Sequence, residues 1–308
     1  MRTYTLTPTI AADAAISRED QQSVRVFEYD NNLDAIAFIE KKLSERQDWS
    51  GVEHSNQNDV KGSFYYHWSG KDCKDFNEAM FNFKHGNPRY TQKFIDGLAE
   101  IHYMGDDDRT TYMDIEGFAY DMGAVVAGEP ECCLNMIMPE ANKALTVYVD
   151  IDFNSGVEEE KIANRGIAIA NLLETLLTKN YDVTLKFICS SNYGKDKEHV
   201  KIFNVSCKTI CASEIAFYTT PEFFRMITLT MDGMCTDDPK LCGQCQGNLR
   251  LAVKEKMIKE NAFLIPGGYT TNSASKLDTP QKAYEWIIDM FNQYVEQGRS
   301  PWLFKTEK

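Results

Sequence analysis

The chain has 308 residues, of which 43% are hydrophobic and 26% charged, which is typical of a soluble globular protein with one large core or two modest ones. Its formal net charge of −13, with no block of lysine and arginine to offset it, disfavours sequence-independent binding to duplex DNA. The sequence has no apolar run of about 18 residues, and residues 1–15 lack the apolar stretch of a secretory signal. We therefore expect a cytoplasmic protein with no membrane partner.

The amino-terminal part predicts a short α/β start. Residues 1–24 are polar and alanine-rich, and we expect them to be loosely ordered. Val24 to Tyr29 alternates as a strand does, and Asn31 can cap a helix whose apolar positions run from Leu33 to Leu43.

Residues 49–88 are rich in aromatic side chains among Gly, Asn, Lys and His. Aromatic rings interleaved with basic groups can stack on unpaired bases, which predicts a single-stranded nucleic-acid site. Alternatively, the rings anchor an irregular layer to the core, and the balance of acidic and basic residues favours this second interpretation. The residues concerned are Phe64, Tyr65, Trp68, Phe76, Phe81 and Phe83.

The middle of the chain predicts a strand, a loop and a helix. Helical spacing is found from Tyr90 to Ile101, and a second short helix is expected from Phe118 to Val126. The apolar run Ala144 to Asp150 then predicts a buried strand, followed by a polar turn and an amphipathic helix from Glu158 to Leu177. In open α/β sheets, ligands and metals bind where such a strand ends.

The remaining elements complete an α/β pattern. The loop 190–198 has hairpin residues, so the strands on either side of it are expected to be antiparallel. In order, the predicted elements are strands 181–189 and 199–207, a helix over 214–229 with a break or start near Pro221, a loop over 232–247, a basic helix over 249–259, a strand over 262–265 and a helix after Thr279 and Pro280.

The turn after the central strand is the main candidate site. Asp150, Asp152, Asn154 and Ser155 offer two carboxylates and two neutral oxygens within six residues. Such oxygens can converge on one hard cation, which is usually Mg²⁺ or Mn²⁺.

Residues 120–132 and 162–166, with the strand that ends at Asp150 between them, resemble uncharacterised bacteriophage-encoded proteins that carry a von Willebrand factor A-like domain. The resemblance implies a doubly wound, mainly parallel sheet over residues 118–308, preceded by an aromatic-rich α+β segment over 1–117. It also implies a non-enzymatic module for protein binding or assembly in the host cytoplasm, often beside an ATPase partner.

The resemblance also suggests further ligands for the metal. In von Willebrand A domains the turn Asp-x-Ser-x-Ser is completed by a Thr and an Asp from later loops. Thr209 is the candidate for the Thr, and Asp232 or Asp237 for the Asp. After the strand 262–265 the family's Asp is replaced by Pro266 and Gly267.

A second hypothesis makes the chain an enzyme. A strand that ends in Asp-x-Asp also resembles haloacid dehalogenase-like phosphohydrolases, in which the first Asp attacks phosphorus and the second is the general acid. Asp150 and Asp152 would take these roles. The other motifs would be supplied by Ser190 or Ser191, by Lys208, and by the pair Asp237 and Asp238.

The chain has nine cysteines, an odd number, which favours reduced thiols. Cys242 and Cys245 form a C-x-x-C knuckle, and Cys207 and Cys211, or Cys235, can complete a structural zinc site. The alternative is that these thiols are simply buried in the core.

Overall fold

The computed structural model of the chain describes residues 1–9, 22–46, 73, 75–100, 110–114, 119–120, 126–127, 133–137, 143–153, 157–179, 181–191, 199–206, 212–238, 249–267 and 275–300. The strands in these ranges are β1 (Arg2–Leu6), β2 (Val24–Tyr29), β3 (Thr110–Asp114), β4 (Ala119–Tyr120), β5 (Cys133–Ile137), β6 (Lys143–Asp150), β7 (Tyr181–Ser191), β8 (His199–Ser206) and β9 (Phe263–Ile265).

The α-helices are α1 (Asn32–Glu45), α2 (Phe76–His85), α3 (Pro88–Glu100), α4 (Glu159–Thr178), α5 (Ala212–Tyr218), α6 (Leu229–Thr236), α7 (Leu251–Lys259) and α8 (Pro280–Gln297). A π-helix (Phe223–Thr228) leads into α6, and a 3₁₀ turn (Ser275–Leu277) precedes α8. Within the described ranges, no helix combines the length and the apolar character that a membrane crossing requires.

In the described part of the chain, six strands form the main sheet, in the order β1-β2-β8-β7-β6-β9. The pairs β2/β8, β7/β6 and β6/β9 are parallel, whereas β1/β2 and β8/β7 are antiparallel. The predicted α/β class is therefore confirmed. The predicted antiparallel pairing of the two strands on either side of the loop 190–198, β7 and β8, is confirmed as well. Strands β3, β5 and β4 form a separate antiparallel sheet.

Helices cover both faces of the main sheet. Because side chains alternate along a strand, β6 sends Val147 and Val149 into the larger core and Tyr148 into a smaller core on the opposite face. The larger core lies against α1, α2, α4, α5 and α8, and the smaller one against α7. Strand β6 is thus buried on both sides, as its apolar run predicts.

Three sequence predictions need correction. Arg2–Leu6 is not loosely ordered, because it pairs with β2 at the edge of the sheet. Ala119–Tyr120 is not helical, because its backbone pairs with β5, and so short a helix with a glycine inside has little stability of its own. Asp232 lies in helix α6 and not in a loop.

The main sheet contains strands from both sides of the domain boundary predicted between residues 117 and 118. Strands β1 and β2 come from the predicted N-terminal segment, yet β2 pairs directly with β8 from the predicted domain. The two parts of the chain therefore share one sheet.

One edge of the main sheet gathers the ends of four strands. The parallel strands β7, β6 and β9 all finish there, and β8 starts there because it runs against β7. The register places Ser191 opposite His199 and Asp150 beside Ile188. This is the carboxyl edge of the sheet, where the candidate site lies.

Candidate functional site

Asp150 is the last residue of β6, and its side chain is buried. One carboxylate oxygen, Oδ1, accepts the main-chain N–H of Asp152 at 3.0 Å. The main-chain N–H of Gly267 also donates to this carboxylate. Burial raises the pKa of Asp150 to about 6, although these two bonds and the nearby charge of Arg165 oppose the rise.

Asp152 is fully buried, at 0% exposure. Its Oδ2 accepts two hydrogen bonds from Ser190 at the end of β7, one from the main-chain N–H at 2.8 Å and one from the hydroxyl at 3.0 Å. Its Oδ1 has no hydrogen-bond partner among the described residues. Burial and then the neighbouring charge of Asp150 raise the pKa of Asp152 well above its usual range.

Gly267 lies against the two aspartates. A Cβ at this position would be 2.2 Å from the main-chain oxygen of Asp152 and 3.2 Å from the carboxylate of Asp150. Only glycine allows the chain after β9 to approach so closely. The glycine that takes the place of an expected Asp thus contributes a main-chain donor to the site.

Arg165 holds the ends of two strands together beneath the site. This buried side chain of α4 donates from Nη2 to the main-chain oxygens of Asp150 at 2.8 Å, Ile265 at 3.2 Å and Pro266 at 2.7 Å. It also lies over the ring of Phe153, 5.2 Å from its centroid. Arg165 therefore fixes the backbone that carries Asp150 and supplies a positive charge nearby.

A second group of polar side chains adjoins the first along β7 and β8. Asp232 of α6 accepts at Oδ1 from the Ser191 hydroxyl at 2.6 Å and from the Lys201 ammonium, and His199 Nε2 lies 3.2 Å from the same oxygen. Lys201 also donates to the Ser191 hydroxyl at 3.1 Å. Asp232 Oδ2 has no hydrogen-bond partner among the described residues.

The two groups meet where Ser190 and Ser191 follow each other on β7. Ser190 binds Asp152, and Ser191 binds Asp232. The positive charge of Lys201 reaches Asp152 as well, since it lowers the pKa of that carboxyl. Among the described residues, this edge of the sheet carries the buried carboxylates of Asp150, Asp152 and Asp232 against the cations Lys201 and Arg165.

The structure brings together some of the residues predicted for the site. Asp150 and Asp152 are neighbours, and Asp232 lies one serine further along the edge. Asp237, the alternative to Asp232, is exposed and pairs with Lys42 instead. The other residues predicted for the metal, phosphate or zinc sites lie outside the described part of the chain: Asn154, Ser155, Thr209, Lys208, Cys207, Cys211, Cys242 and Cys245.

The metal and zinc predictions are not resolved by the described side chains. Within those residues, no group of three or more His, Cys, Asp or Glu side chains is placed to hold a metal ion. The cysteines whose side chains are described, Cys73, Cys189 and Cys235, are buried free thiols. Cys235 packs beside Tyr29, with Sγ 3.8 Å from the phenol oxygen. For this cysteine the structure therefore favours the alternative prediction, a thiol buried in the core.

The described part of the aromatic stretch favours the core interpretation. Phe76 and Phe83 are buried, and Phe83 stacks on Phe217. Phe81 is exposed and lies against the ring of His85. Phe64, Tyr65 and Trp68 lie outside the described residues, so the nucleic-acid site stays a prediction.

Sequence reasoning missed Lys201, Arg165 and Gly267, although the first two carried a signal. Lys201 is two residues before Phe203 and therefore lies on the same face of its strand as this core residue. Arg165 lies three residues after Ile162 and four before Ile169, on the apolar face of α4. A charged residue at a position that periodicity assigns to the core is a candidate for a buried polar site.

Comparison with known proteins gives a family but no function. A family model described as "Domain of unknown function (DUF7192)" matches residues 16–293, which is most of the chain. No curated protein and no solved structure matches. The chain belongs to the DUF7192 family.

Proposed function

We propose that this member of the DUF7192 family is a von Willebrand A-like binding module, which engages a protein partner through a divalent cation held by Asp150 and Asp152. The observation that carries the proposal is the pair of neighbouring buried carboxylates at the carboxyl edge of the sheet, in which Oδ1 of Asp152 has no hydrogen-bond partner among the described residues. A buried carboxylate oxygen without a donor is costly unless a proton or a cation occupies the position.

The order of the strands supports the von Willebrand A-like part of the proposal. Strands β8-β7-β6-β9 are adjacent in that order, with β8 antiparallel to β7. An antiparallel strand after the second parallel strand is also found in von Willebrand A domains. Asp150, at the end of β6, stands where that family's Asp-x-Ser-x-Ser turn begins, and Asp152 takes the place of the first Ser.

The donors fit a hard cation. Mg²⁺ and Mn²⁺ prefer oxygen ligands, and Mg²⁺ is commonly held by only one or two carboxylates while it keeps several waters. Asp150 and Asp152 supply such a pair, and burial raises the pKa of each because the described residues around them do not fully compensate the two charges. Asn154 and Ser155 are the next oxygen donors in the sequence.

The neighbouring residues would orient these ligands. The N–H groups of Asp152 and Gly267 fix Asp150, and Ser190 fixes Asp152 through Oδ2 so that Oδ1 is left available. Asp232 is paired with Lys201, so we assign it to the support of the site and not to the metal. A bound cation would offer an open coordination position to an oxygen ligand of the partner.

A thermal unfolding experiment tests the proposal. At 100 times the dissociation constant, a ligand that binds only the folded state stabilises it by about 2.7 kcal/mol. We expect MgCl₂ or MnCl₂ to raise the melting temperature of the wild type and to have no effect on Asp150→Asn. The control is Asp182→Asn, which changes an exposed aspartate at the other end of β7 and should respond as the wild type does.

The nature of the partner depends on the resemblance alone. We propose a protein partner, and the bacteriophage origin and the ATPase beside it remain predictions. Affinity capture from infected cells with the wild type and with Asp150→Asn tests them. Capture of the same proteins by both variants would contradict a role for the site.

A phosphohydrolase is the second candidate, and one observation favours it. Ser190, Lys201 and Asp232 lie beside the Asp-x-Asp turn, so a serine, a lysine and an acid are present, although the lysine is not Lys208 and the acid is not Asp237. Against it, Ser190 donates both its N–H and its hydroxyl to Asp152, and Lys201 is paired with Asp232. Hydrolysis of a generic phosphate ester, lost in Asp150→Asn, would favour this candidate over the binding module.

A further inference from the structure

Glu222 is a buried acid far along the chain from the site residues of β6. It immediately precedes the π-helix and is 0% exposed. Its Oε1 accepts from Nδ2 of Asn82 at 2.8 Å, and its Oε2 accepts from Nδ2 of Asn87 at 3.3 Å. One carboxyl group therefore joins the π-helix to both asparagines.

The two asparagines mark the corner between α2 and α3. Asn82 lies in α2, and Asn87 precedes α3, where its Oδ1 accepts from the main-chain N–H groups of Arg89 at 3.1 Å and Tyr90 at 3.4 Å. Asn87 thus caps α3 through its Oδ1 and at the same time donates a hydrogen bond to Glu222 through its Nδ2. Loss of the Glu222 contact would loosen the whole corner.

The surroundings of Glu222 disfavour its negative charge. No lysine or arginine of the described residues pairs with this carboxyl, and Arg225 of the π-helix donates to the main-chain oxygen of Val157 at 2.9 Å. Burial raises the pKa of Glu222 to about 7, against the bonds from Asn82, Asn87 and the thiol of Cys73. The other titratable groups around it are Cys73, Asp75 and Glu78 at the start of α2, Tyr90 of α3, Glu159 of α4 and Arg225.

We propose that Glu222 is a proton-operated latch, which holds the α2–α3 corner on the π-helix when its carboxyl is protonated and loosens that corner when it ionises. The latch stands apart from the cation site, and its test needs no added metal. It concerns regulation of the fold and not the identity of the partner.

The direction of the pH effect follows from linkage. In the open state Glu222 meets water and regains its usual pKa of 4.5. The latch therefore contributes its full stability below pH 4.5 and loses it as pH rises through the folded pKa of about 7. Opening of the corner should become about tenfold more frequent for each pH unit in this window and level off above it.

The π-helix also borders the segment that follows Asp152. Phe224 packs edge-on against Phe153 with ring centroids 5.9 Å apart, and Arg225 holds the main-chain oxygen of Val157. Because π-helical turns often occur at functional positions, this element is suited to pass a loosening of the corner to the segment beside the site.

Cys73 is a built-in probe of the latch. It is buried at 1% exposure, its thiol contacts Met226 at 3.2 Å, and the charge of Glu222 adds to burial in raising the pKa of this thiol. A thiol reagent should reach it only when the corner opens. Cys189 of β7 is a matched buried thiol that reports opening of the sheet.

The experiment measures modification of Cys73 and Cys189 by 4,4′-dithiodipyridine between pH 5 and 8, read by peptide mass spectrometry. Rates on the denatured chain correct for the intrinsic reactivity at each pH. We expect the corrected rate at Cys73 to exceed that at Cys189 and to rise about tenfold per unit from pH 5 to 7 before it levels off.

Glu222→Gln, which mimics the protonated carboxyl, should remove this slope and keep Cys73 protected at pH 8. An equal slope in this variant and in the wild type would overturn the proposal. If the variant does not fold, the wild type decides alone, since a corrected Cys73 rate that is constant from pH 5 to 8 contradicts the latch.

Discussion

Ser190 donates both its main-chain N–H and its hydroxyl to a single oxygen of Asp152, Oδ2, at 2.8 and 3.0 Å. The end of β7 thus fixes the carboxylate of Asp152, which follows β6, and turns its other oxygen, Oδ1, away from these donors. Asp152 is thus held in one orientation while its Oδ1 has no hydrogen-bond donor among the described residues. A cation site at this edge requires such an oriented oxygen.

Replacement of Ser190 by alanine should destabilise the fold. The hydroxyl is one of two donors to a buried carboxyl, and its loss should cost about 1 to 3 kcal/mol of unfolding free energy. Urea denaturation at pH 7 measures this. Thr184→Ala removes a hydroxyl at an exposed position of the same strand and should change the free energy by less than about 0.5 kcal/mol. Equal effects of the two substitutions would contradict the orienting role.

Lys201→Met should be among the most damaging single substitutions in the described part of the chain. It leaves Asp232 buried beside Ser191 without the ammonium group, and removal of one partner of a buried pair costs about 3 to 5 kcal/mol. The double variant Lys201→Met with Asp232→Leu should recover much of the loss, because it removes the uncompensated charge. Lys282→Met breaks only an exposed contact with Asp278 and serves as the control.

Gly267→Ala tests the close approach of the chain to the aspartates. The new Cβ would meet the main-chain oxygen of Asp152 at 2.2 Å, so the backbone has to move, at a cost of about 1 to 3 kcal/mol. The response of the melting temperature to Mn²⁺ should be lost with it. Gly298→Ala provides the comparison, since Gly298 has a φ of +67° and open space around it. This variant should lose about 1 kcal/mol from its backbone alone and keep the response to Mn²⁺.

Tyr4→Phe should weaken the fold at neutral pH and have little effect in acid. Burial alone would raise the pKa of Glu28, but the Tyr4 hydroxyl at 2.8 Å, Asn204, Lys186 and Arg2 hold it below 4.5. The stability that Glu28 contributes is therefore present above pH 4.5 and lost as pH falls through the lowered pKa.

The difference in unfolding free energy between the wild type and Tyr4→Phe should be about 1 kcal/mol at pH 7 and shrink below pH 4. Tyr294→Phe removes a hydroxyl that donates to the main-chain oxygen of Asn261 at 2.6 Å, an acceptor that does not titrate. Its cost should stay constant across this range. A constant cost for Tyr4→Phe as well would show that Glu28 does not titrate as described.

The elements near the site could be predicted from sequence because hydrophobic periodicity dominates there. The apolar run before Asp150 gives β6, and Ile162, Ile169 and Leu172 give the apolar face of α4. The polar edge strand β1 could not be found this way, because its stability comes from pairing with β2 and not from its own pattern.

The site was predicted only in part because its contacts are long-range. Asp150 and Asp152 follow a recognisable strand, whereas Asp232 joins Ser191 and Lys201 through the packing of α6 on the sheet edge. The segment from Asp232 onward was predicted to be a loop, yet tertiary burial keeps Leu229–Thr236 helical. A sequence pattern shows which residues are suited to a site, but the fold decides which of them meet.

Equilibrium binding of Mn²⁺, followed by electron paramagnetic resonance of the free ion at pH 7.5, tests the cation site most directly. The account predicts one saturable site in the wild type and in Asp182→Asn, and none in Asp152→Asn. Absence of binding to the wild type, or equal binding to Asp152→Asn, would contradict it.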